Sequence, residues 1–576
     1  FNYCLRSSYG CRSRMEVLPA PRSEPEYLYK QKNHCLTHFQ IKMCGIWATF
    51  GVDGGLSAIC IKCFSSIKHR GPDAWRIEND AREPLTLFGF QRLAIVDGLH
   101  GMQPMRLHCY PRTNLICNGE IYNFKRLQVE RKYEYETKCD VEAIIHAYHQ
   151  MGIADAVKNL DGVFAFCLVD GEKRKVCIAR DPYGVRPLYI LNDEENGVMG
   201  ICSEAKGLIG LKQLAGKKST LGQFPPGHLQ VWSLLDDGKV KVDFTERYFT
   251  PGYAPRFIPF VAEKVLSDMN ATEKIAHLLE AACRKRLMSD RRIGCLLSGG
   301  LDSSLIAALV VKLAKEQNLP YKIQTFAIGM GDSPDLAAAQ TVADYLGTEH
   351  HAVKFDENDV KEALDNVIYH LESYDITTIR ASLPMYLLAK YIKENTDTTV
   401  VFSGEGADEL AQGYIYFRDA PTETAAHEES IRLLSDIYLY DGLRADRTTS
   451  AFSLELRKMR QPQNGVEKHL LRSSFAKSCL LPDSILWRHK EAFSDGVASV
   501  KKSLFTTIAE VIAERLPEDN TQYPGVQPAT TEAKYYRHVF EKSYPGQHNF
   551  TPYYWMPKWV QVTDPSARFI KHYAAK

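Results

Sequence analysis

Two patterns of apolar and polar positions divide this chain of 576 residues. From Cys44 to about Asp243, short apolar runs alternate with clusters of turn-forming residues, which predicts strands, and one helical periodicity runs from Asp140 to Met151. The first half is therefore expected to be a layered α+β domain. Its predicted strands are Gly45–Val52, Leu85–Val96, Leu115–Ile121, Val163–Val169, Lys175–Ala179, Leu188–Leu191 and Val198–Cys202.

The second half shows helical periodicity that alternates with short apolar runs, beginning with a predicted helix over Thr272–Leu287. Such alternation predicts an α/β domain with a doubly wound parallel sheet, in which ligands bind at the carboxyl ends of the strands. The predicted strands are Ile293–Leu297, Ile323–Gly329, His350–Lys354 and Thr399–Phe402, and the predicted helices are Ser303–Gln317, a helix capped by Ser333, Asp359–Leu371 and Ala381–Glu394.

Changes in composition suggest where the domains begin and end. Residues 1–43 are polar and contain proline without any periodicity, so we expect an unstructured leader that is absent from the mature protein. We interpret it as translated upstream sequence or a removable extension, because its acidic residues argue against a targeting peptide. Proline, glycine and aromatic residues between Tyr248 and Phe260 indicate a linker. The predicted units are the leader 1–43, a domain over 44–247, a linker over 248–271 and a domain over 272–576.

Composition argues against several classes of protein. The formal net charge is +1, so no overall field favours nucleic acid or a membrane surface as a partner. No apolar stretch of the sequence reaches the length of a membrane span. The fifteen cysteines are irregularly spaced and many lie in apolar runs, which is typical of reduced core thiols rather than of a disulfide framework or a zinc site. We therefore expect a cytosolic protein that binds neither nucleic acid nor membranes.

A glycine-rich turn follows the apolar run Ile293–Leu297 and opens a helix that carries Leu305, Leu309 and Leu313. Two glycines let the backbone approach an anion closely, and the hydroxyls and free N–H groups at the helix start can donate to it. An ordinary tight turn with a helix cap is the alternative, but this sequence after a buried strand is a narrower signal. The turn lacks the Gly-Lys-Ser/Thr ending of a Walker loop. It consists of Ser298, Gly299, Gly300, Leu301, Asp302, Ser303 and Ser304, in which Asp302 could hold Mg²⁺ against the phosphates.

A second candidate loop follows the last predicted strand and is rich in carboxylates. Like the glycine-rich turn, it lies at the carboxyl end of a strand, where ligands of such sheets bind. Clustered carboxylates are costly there unless a metal ion or a cationic partner compensates them, which favours a functional loop over a solvated one. Its residues are Ser403, Gly404, Glu405, Gly406, Ala407, Asp408 and Glu409.

Four motifs in the first half are candidates for function, and some of them contain turn dipeptides such as Asn-Gly and Asp-Pro. Taken singly, each favours a structural turn. Their occurrence behind Met43-Cys44-Gly45-Ile46 favours a functional interpretation instead. The motifs span His69–Asp73, Arg92–Asp97, Asn118–Asn123 and Arg180–Leu188.

With these motifs, the first half resembles a class II glutamine amidotransferase domain of the N-terminal-nucleophile type, which implies a layered αββα fold. The turn at 298–304 resembles the pyrophosphate loop of the ATP pyrophosphatase family, whose members adenylate their substrates. From Cys44 onwards, nearly the whole chain resembles the glutamine-hydrolysing asparagine synthetases of eukaryotes.

This resemblance implies an enzyme with two sites. Ammonia released from glutamine at one site would pass through an internal channel to a second site, where aspartate and ATP form a β-aspartyl adenylate. The products would be asparagine, AMP and diphosphate. The resemblance further implies that ATP is a substrate, that Mg²⁺ is needed and that the partners are small-molecule substrates. It leaves open whether the protein forms a homodimer.

The same resemblance implies roles for particular residues. Cys44 would be the nucleophile, and Asn118 and the Gly119 N–H would form the oxyanion hole. Glutamine would be bound by Arg92, Leu93, Ala94, Ile95, Val96, Asn118, Gly119, Glu120 and Asp140. ATP would contact Leu296, Ser298, Gly299, Gly300, Asp302, Ser303, Ser304, Ile328, Ser403 and Gly404, and Glu405 would act in the adenylate step. Asp408, Arg444 and Lys490 would lie on the aspartate and diphosphate side, with Asp302 and Asp408 as metal ligands.

A cysteine at the start of a mature chain can activate itself. An N-terminal α-amine has a pKa of about 7.7–8.0, so it can serve as the base for its own thiol and no catalytic histidine is needed. A small buried hydrophobic residue is the alternative role for Cys44.

One segment departs from the family pattern. After Arg457 the family continues with an apolar Val-Pro-Phe-Leu-Asp motif and a helical stretch, whereas Lys458–Gln463 here leads directly to Asn464-Gly465-Val466-Glu467-Lys468. We interpret this as an internal deletion near 457–463. It leaves open a catalytically impaired splice or gene-model variant, or a protein that kept the fold and lost the activity. A β-lactam-forming relative is a further alternative, although such relatives tend to lose the N-terminal cysteine.

Overall fold

The computed structural model describes residues 43–561 and 564–565, apart from short gaps. Of the predicted features, Arg444, Lys490, residues 1–42 of the leader and almost all of the segment near 457–463 lie outside the described residues. The gaps are 54–55, 81, 84, 251–268, 442–462, 464–465, 490–495, 500–501, 517–520 and 562–563.

The first half contains two six-stranded sheets in which all neighbouring strands are antiparallel. The strands are β1 (Gly45–Phe50), β2 (Ala74–Asn79), β3 (Thr86–Arg92), β4 (Met105–Leu107), β5 (Tyr110–Ile121), β6 (Gly162–Asp170), β7 (Lys175–Arg180), β8 (Tyr189–Asp193), β9 (Val198–Cys202), β10 (Thr220–Gln223), β11 (His228–Leu234) and β12 (Val240–Arg247). Their order is β10-β8-β9-β1-β3-β2 in one sheet and β12-β11-β7-β6-β5-β4 in the other. The helices are α1 (Ala58–Ser65), α2 (Phe124–Arg131), α3 (Glu142–Met151), α4 (Ile153–Asn159) and α5 (Lys206–Lys212).

The two sheets pack face to face. Side chains alternate between the two faces of a sheet, so alternate residues of a strand enter the core between the sheets or the core on the outer face. Ile46, Ala48 and Phe50 of β1 join an apolar core to which strands of both sheets contribute. Trp47, on the opposite face of β1, belongs to a separate core with residues of α1 and α5. Phe164 of β6 packs with residues of α2 and α3 on the outer face of the other sheet. Helices therefore cover both outer faces, and the expected αββα layering is confirmed.

The second half contains a four-stranded sheet whose strands are all parallel. The strands are β13 (Ile293–Leu296), β14 (Gln324–Met330), β15 (Glu349–Phe355) and β16 (Val400–Phe402), in the order β15-β14-β13-β16. The helices are α6 (Ala271–Lys285), α7 (Leu301–Glu316), α8 (Pro334–Leu346), α9 (Glu357–Leu371), α10 (Ile376–Asn395), α11 (Ala407–Ala411), α12 (Glu423–Asp441), α13 (His469–Phe475), α14 (Asp483–Leu486), α15 (Leu504–Ala513) and α16 (Thr531–Ser543), with short 3₁₀ helices at Ile415–Asp419 and His548–Phe550.

Helices cover both faces of this parallel sheet. Cys295 and Ala327 pack on one face with residues of α6, α7 and α8. Leu296, Phe326 and Ile328 pack on the other face with residues of α9, α10, α15 and α16. The expected doubly wound α/β architecture is therefore confirmed, and the carboxyl ends of β13, β14 and β16 meet at one edge.

The structure differs from the predicted elements mainly at the edges of the sheets. Strands β2, β4, β10 and β12 end the two sheets of the first half, and none was predicted. An edge strand has neighbours on one side only, and the residues of β12 are largely exposed, so its apolar alternation is weak. Strand β11 was also missed. The α7 helix begins at Leu301, two residues before the predicted start at Ser303, and α3 begins at Glu142 rather than Asp140.

Two findings bear on the chain's surroundings. Among the helices in the described part of the chain, none has both the length and the apolar character needed to cross a bilayer. The cysteines placed there are all free thiols, and most are buried in the cores, whereas Cys109 and Cys479 are exposed.

Candidate active sites

Cys44 lies immediately before β1, and its thiol faces the start of the loop that follows β3. The Cys44 Sγ atom is 3.3 Å from both the amide nitrogen and the carbonyl oxygen of Leu93. The Cys44 carbonyl oxygen accepts a hydrogen bond from Arg70 Nε at 2.8 Å. Burial raises the pKa of the thiol to about 11, and the nearby Glu120 carboxylate adds to the rise while the Leu93 N–H opposes it. The thiol is therefore protonated near neutral pH and needs a base before it can act as a nucleophile.

Strand β5 brings Asn118 and Gly119 to the same place. With its amide oriented to suit both neighbours, Asn118 donates from Nδ2 to the Cys44 carbonyl oxygen at 3.1 Å and accepts from Arg70 at 3.2 Å. Gly119 pairs with Phe164 in β6, and a Cβ atom at Gly119 would lie 2.2 Å from the Val163 carbonyl oxygen. Only glycine fits this register, so the backbone of β5 runs close to β6 beside the nucleophile.

Arg92 ends β3 and holds the following loop in a folded-back shape. Its guanidinium donates to the carbonyl oxygens of Gly98 at 2.9 Å and Asp97 at 2.5 Å. A Cβ atom at Gly101 would lie 2.8 Å from Arg92 Nη2 and 3.3 Å from the Sγ of Cys139. Arg92 is therefore adjacent to the segment that carries Asp140. We call the turn from Leu93 to Asp97 the Arg92 loop.

Two carboxylates, the buried Asp140 and the half-buried Glu120, complete this cluster. Asp140 accepts a hydrogen bond from the Ile121 amide at 2.6 Å. Burial, together with the neighbouring Glu120 carboxylate, raises the pKa of Asp140 to about 7, although the hydrogen bond from the Ile121 amide opposes the rise. Glu120 forms an ion pair with Arg186. The structure thus brings Cys44, Arg92, Asn118, Glu120 and Asp140 to one region, although they come from four separate stretches of sequence.

The glycine-rich turn joins β13 to α7. Ser298 and Ser303 hold it closed: the Ser298 amide donates to Ser303 Oγ at 3.1 Å, and the two hydroxyls are also 3.1 Å apart. Gly299 has a φ of 72°, and a Cβ atom there would lie 2.5 Å from Ala338 of α8. Gly300 caps α7, so Asp302 and Ser303 occupy its first turn, and the Ser304 hydroxyl is buried without a hydrogen-bond partner among the described residues.

The loop after β16 lies against this turn. A Cβ atom at Gly404 would lie 2.6 Å from the Asp302 backbone, so this approach also requires glycine. Ser403 Oγ accepts a hydrogen bond from the Glu405 amide at 3.2 Å. Leu296 and Ile328 lie on the adjacent strands β13 and β14. The predicted ATP contacts of the described residues therefore converge at one edge of the parallel sheet.

One cation bridges the two predicted metal ligands. The Lys468 ammonium is 2.5 Å from Asp408 and also forms an ion pair with Asp302. Lys468 is almost fully buried. The other carboxylate oxygen of Asp302 is buried and has no hydrogen-bond partner in the described part of the chain. An acceptor of this kind beside a second carboxylate suits a hard cation such as Mg²⁺, so the residues fit that ion.

Family models match both halves of the chain. Residues 43–224 match the glutamine amidotransferase domain family, and residues 274–424 and 458–562 match the asparagine synthase family. The chain is 51% identical to the glutamine-hydrolysing asparagine synthetase of Gallus gallus and 49% identical to that of Homo sapiens, in each case over 92% of this chain and 99% of the relative. The chain belongs to the glutamine-hydrolysing asparagine synthetase family.

This membership confirms the resemblance seen in the motifs. Among solved structures, this asparagine synthetase family member aligns with a glutamine phosphoribosylpyrophosphate amidotransferase from B. subtilis at 16% identity, over 54% of this chain and 81% of that one. The TM-score is 0.30, which is too low to support a conclusion. The asparagine synthase match resumes at residue 458, beside the segment where a deletion is expected, and the deletion stays a prediction.

Sequence reasoning assigned no role to two residues that the structure places in the sites of this family member. Arg70 bonds the carbonyl of Cys44, and Lys468 bridges Asp302 and Asp408. Both lie in segments whose motifs had been noticed, so motif membership was the available signal. Their contacts join residues that are far apart in the chain, and no local pattern indicates them.

Proposed function

We propose that this chain makes L-asparagine from L-aspartate and ATP with ammonia released from L-glutamine, through a β-aspartyl-AMP intermediate, and yields AMP and diphosphate. One observation carries the proposal: a single chain of this family holds two sites. In one, the half-buried Cys44 lies beside Asn118; in the other, the glycine-rich turn faces the carboxylate loop.

In the glutaminase half, Cys44 Sγ attacks the glutamine amide carbon. The free α-amine of Cys44 takes the thiol proton, because the raised pKa of the thiol leaves it protonated near neutral pH. Asn118 Nδ2 and the Gly119 N–H donate to the developing oxyanion. The C–N bond then breaks, ammonia leaves with a proton returned by the α-ammonium, and water hydrolyses the thioester to glutamate and the free thiol. Arg92 binds the α-carboxylate of glutamine. Asp140 and Glu120 bind the substrate's ammonium group. The Arg92 loop, with Leu93, Ala94, Ile95 and Val96, forms the wall of this pocket.

In the synthetase half, the N–H groups and hydroxyls of the turn at Ser298–Ser304 bind the diphosphate part of ATP. Leu296, Ile328, Ser403 and Gly404 contact the nucleotide, and Glu405 acts on the adenylate step. The aspartate β-carboxylate attacks the α-phosphorus of ATP and diphosphate leaves. Ammonia then attacks the acyl carbon of the adenylate, and AMP leaves.

Asp302 and Asp408 would hold Mg²⁺, which would supply charge neutralisation for the leaving diphosphate. Lys468 forms ion pairs with both carboxylates, so its single positive charge offsets one of their two negative charges. We further propose that Arg444 and Lys490 bind aspartate or diphosphate, that the protein works in the cytosol, and that it forms a homodimer. Sedimentation velocity measures the last of these directly.

The decisive experiment uses purified protein that begins at Cys44. We expect it to form AMP and asparagine in equal amounts with either glutamine or ammonium as the nitrogen source. Glutamate release without any AMP would support the alternative, a variant impaired in its synthetase half. Restoring the apolar segment after Arg457 should then recover AMP formation. Protein that yields neither glutamate nor AMP would overturn the proposal.

A further inference from the structure

The segment that leads into β13 contacts the Arg92 loop of the other half of the chain. Asp290 accepts a hydrogen bond from the Asp97 amide at 3.0 Å, and its own amide donates to the Ile95 carbonyl at 2.9 Å. Arg291 lies 3.7 Å from the carboxylate oxygen of Asp73 that accepts a hydrogen bond from the Ala94 amide at 2.9 Å. Residues of the synthetase half therefore hold the Arg92 loop at several points along its length.

Asp97 connects Asp290 with Arg92 through hydrogen bonds. Its backbone has a φ of 49°, and its carboxylate accepts from the amides of Leu99, His100 and Lys138, so its conformation is set by several bonds. Its carbonyl oxygen accepts from Arg92 at 2.5 Å. A displacement of Asp97 would therefore move the guanidinium that faces the substrate carboxylate.

The same segment is tied to the ATP side. The carbonyl oxygen of Arg292 accepts hydrogen bonds from the amides of Thr399 at 3.1 Å and Val400 at 3.2 Å. These contacts place the beginnings of β13 and β16 side by side. The two strands end at the glycine-rich turn and at the carboxylate loop. Asp290 thus lies between the Arg92 loop, which it contacts, and the strand β13, which ends at the glycine-rich turn.

We propose that Asp290 is a positioning residue for glutamine: by accepting the Asp97 N–H, it holds Arg92 in the orientation that binds the substrate carboxylate. This inference rests on the proposed glutaminase activity and extends its binding site into the other half of the chain. The acceptor atom, not the charge, performs this role, because the partner is a neutral amide.

The test compares three forms of the full protein beginning at Cys44. Asp290→Ala removes the acceptor, and we expect the KM for glutamine to rise by about three- to tenfold while kcat changes by less than about twofold, as for the loss of one hydrogen bond. Asp290→Asn keeps an acceptor oxygen and should restore the wild-type KM. The KM values for ammonium and ATP should stay unchanged in both variants.

Asp397→Ala is the matched control, since Asp397 is also an exposed carboxylate near this segment and pairs with Arg292 at 3.0 Å without touching the Arg92 loop. It should leave the glutamine KM unchanged. If Asp290→Ala is unstable in thermal unfolding, Asp290→Leu removes the acceptor with a side chain of similar size. An unchanged glutamine KM in the acceptor-free variant, or an equally high KM in Asp290→Asn, overturns the inference. A wild type that hydrolyses no glutamine overturns the proposed function, and this inference with it.

Discussion

The Lys206 ammonium lies 3.1 Å from a carboxylate oxygen of Glu372, although the two side chains belong to different halves of the chain. The Glu372 carboxylate also accepts hydrogen bonds from the Ala205 and Lys206 amides at 2.7 and 2.8 Å. Both side chains are buried. Burial opposes the charge, but Glu204 and Glu372 together raise the pKa of Lys206 above its usual value. Lys206 therefore stays charged at neutral pH.

Further contacts connect Lys206 with the proposed nucleophile, Cys44. Lys206 contacts Glu204 at 2.5 Å, Glu204 contacts Arg70 at 2.8 Å, and Arg70 donates to the Cys44 carbonyl. Buried charges of both signs thus alternate from the end of α9 to the glutaminase site. Removing any one of them leaves an excess of the opposite charge in the buried network.

Glu372→Ala should therefore destabilise the protein strongly. We expect a loss of about 3–5 kcal/mol in the free energy of unfolding, since Lys206 would keep its charge in an apolar surrounding with one carboxylate fewer. Denaturant unfolding followed by fluorescence measures this loss. The control is Glu514→Ala, which breaks the exposed ion pair with Lys361 and should not shift the transition measurably. Equal midpoints for the two variants would show that the buried network is dispensable.

Cys44→Ala should abolish synthesis with glutamine and preserve synthesis with ammonium, because the two sites use different substrates. Glu405→Ala should abolish both. Coupled assays of AMP formation with each nitrogen source distinguish these outcomes. Cys109→Ala, which changes an exposed thiol, is the control and should behave as the wild type. Loss of ammonium-dependent synthesis in Cys44→Ala would mean that the division into two sites is wrong or that the variant is misfolded.

Retaining Met43 in front of Cys44 should eliminate glutamine hydrolysis. An acylated α-amine cannot take the thiol proton, and the thiol with its pKa of about 11 stays protonated. Ammonium-dependent synthesis should continue. Mass spectrometry of the first residue, together with glutamate release, checks this. Glutaminase activity in a preparation whose first residue is verifiably Met43 would exclude the α-amine as the base.

The pKa of about 7 at Asp140 predicts a pH dependence of glutamine binding. The carboxylate form binds the substrate ammonium, so the KM for glutamine should rise as the pH falls through about 7, where Asp140 becomes protonated. Asp140→Asn should raise the KM and remove this dependence. Asp155→Asn, at the start of α4, serves as a control that keeps it. A wild-type KM that is constant between about pH 6 and 8 would contradict the assigned role.

Lys468→Ala should make folding depend on Mg²⁺. Without the ammonium, Asp302 and Asp408 repel each other, so the thermal unfolding temperature in the presence of a chelator should fall. Added Mg²⁺ should then raise this temperature more in the variant than in the wild type, since the ion replaces the lost charge. The control Lys361→Ala, which removes an exposed ion-pair partner, should respond to Mg²⁺ as the wild type does. Identical Mg²⁺ responses in all three proteins would exclude a metal site at these carboxylates.

The sequence by itself determined the class of both folds and most of the elements in their interiors. Strands such as β1 and β6 are buried along almost their whole length, and this burial requires continuous apolar runs that are visible in the sequence. The turn at Ser298–Ser304 was also recognisable, because its glycines and hydroxyls are needed in a fixed local order. Burial of a strand and the conformation of a turn depend mainly on residues that are close in the sequence, so the sequence pattern indicates them.

Only the tertiary structure decided which partners the charged side chains contact. Asp290 reaches Asp97, Lys468 reaches Asp302, and Glu372 reaches Lys206 across long stretches of chain. In a sequence, a single charged residue looks like a solvated side chain. Whether it is buried beside an oppositely charged or hydrogen-bonding partner depends on how whole helices and strands pack. The edge strands β2 and β12 could not be predicted for a related reason. Their pairing comes from a neighbouring strand, no residue of β2 is buried, and most residues of β12 are exposed.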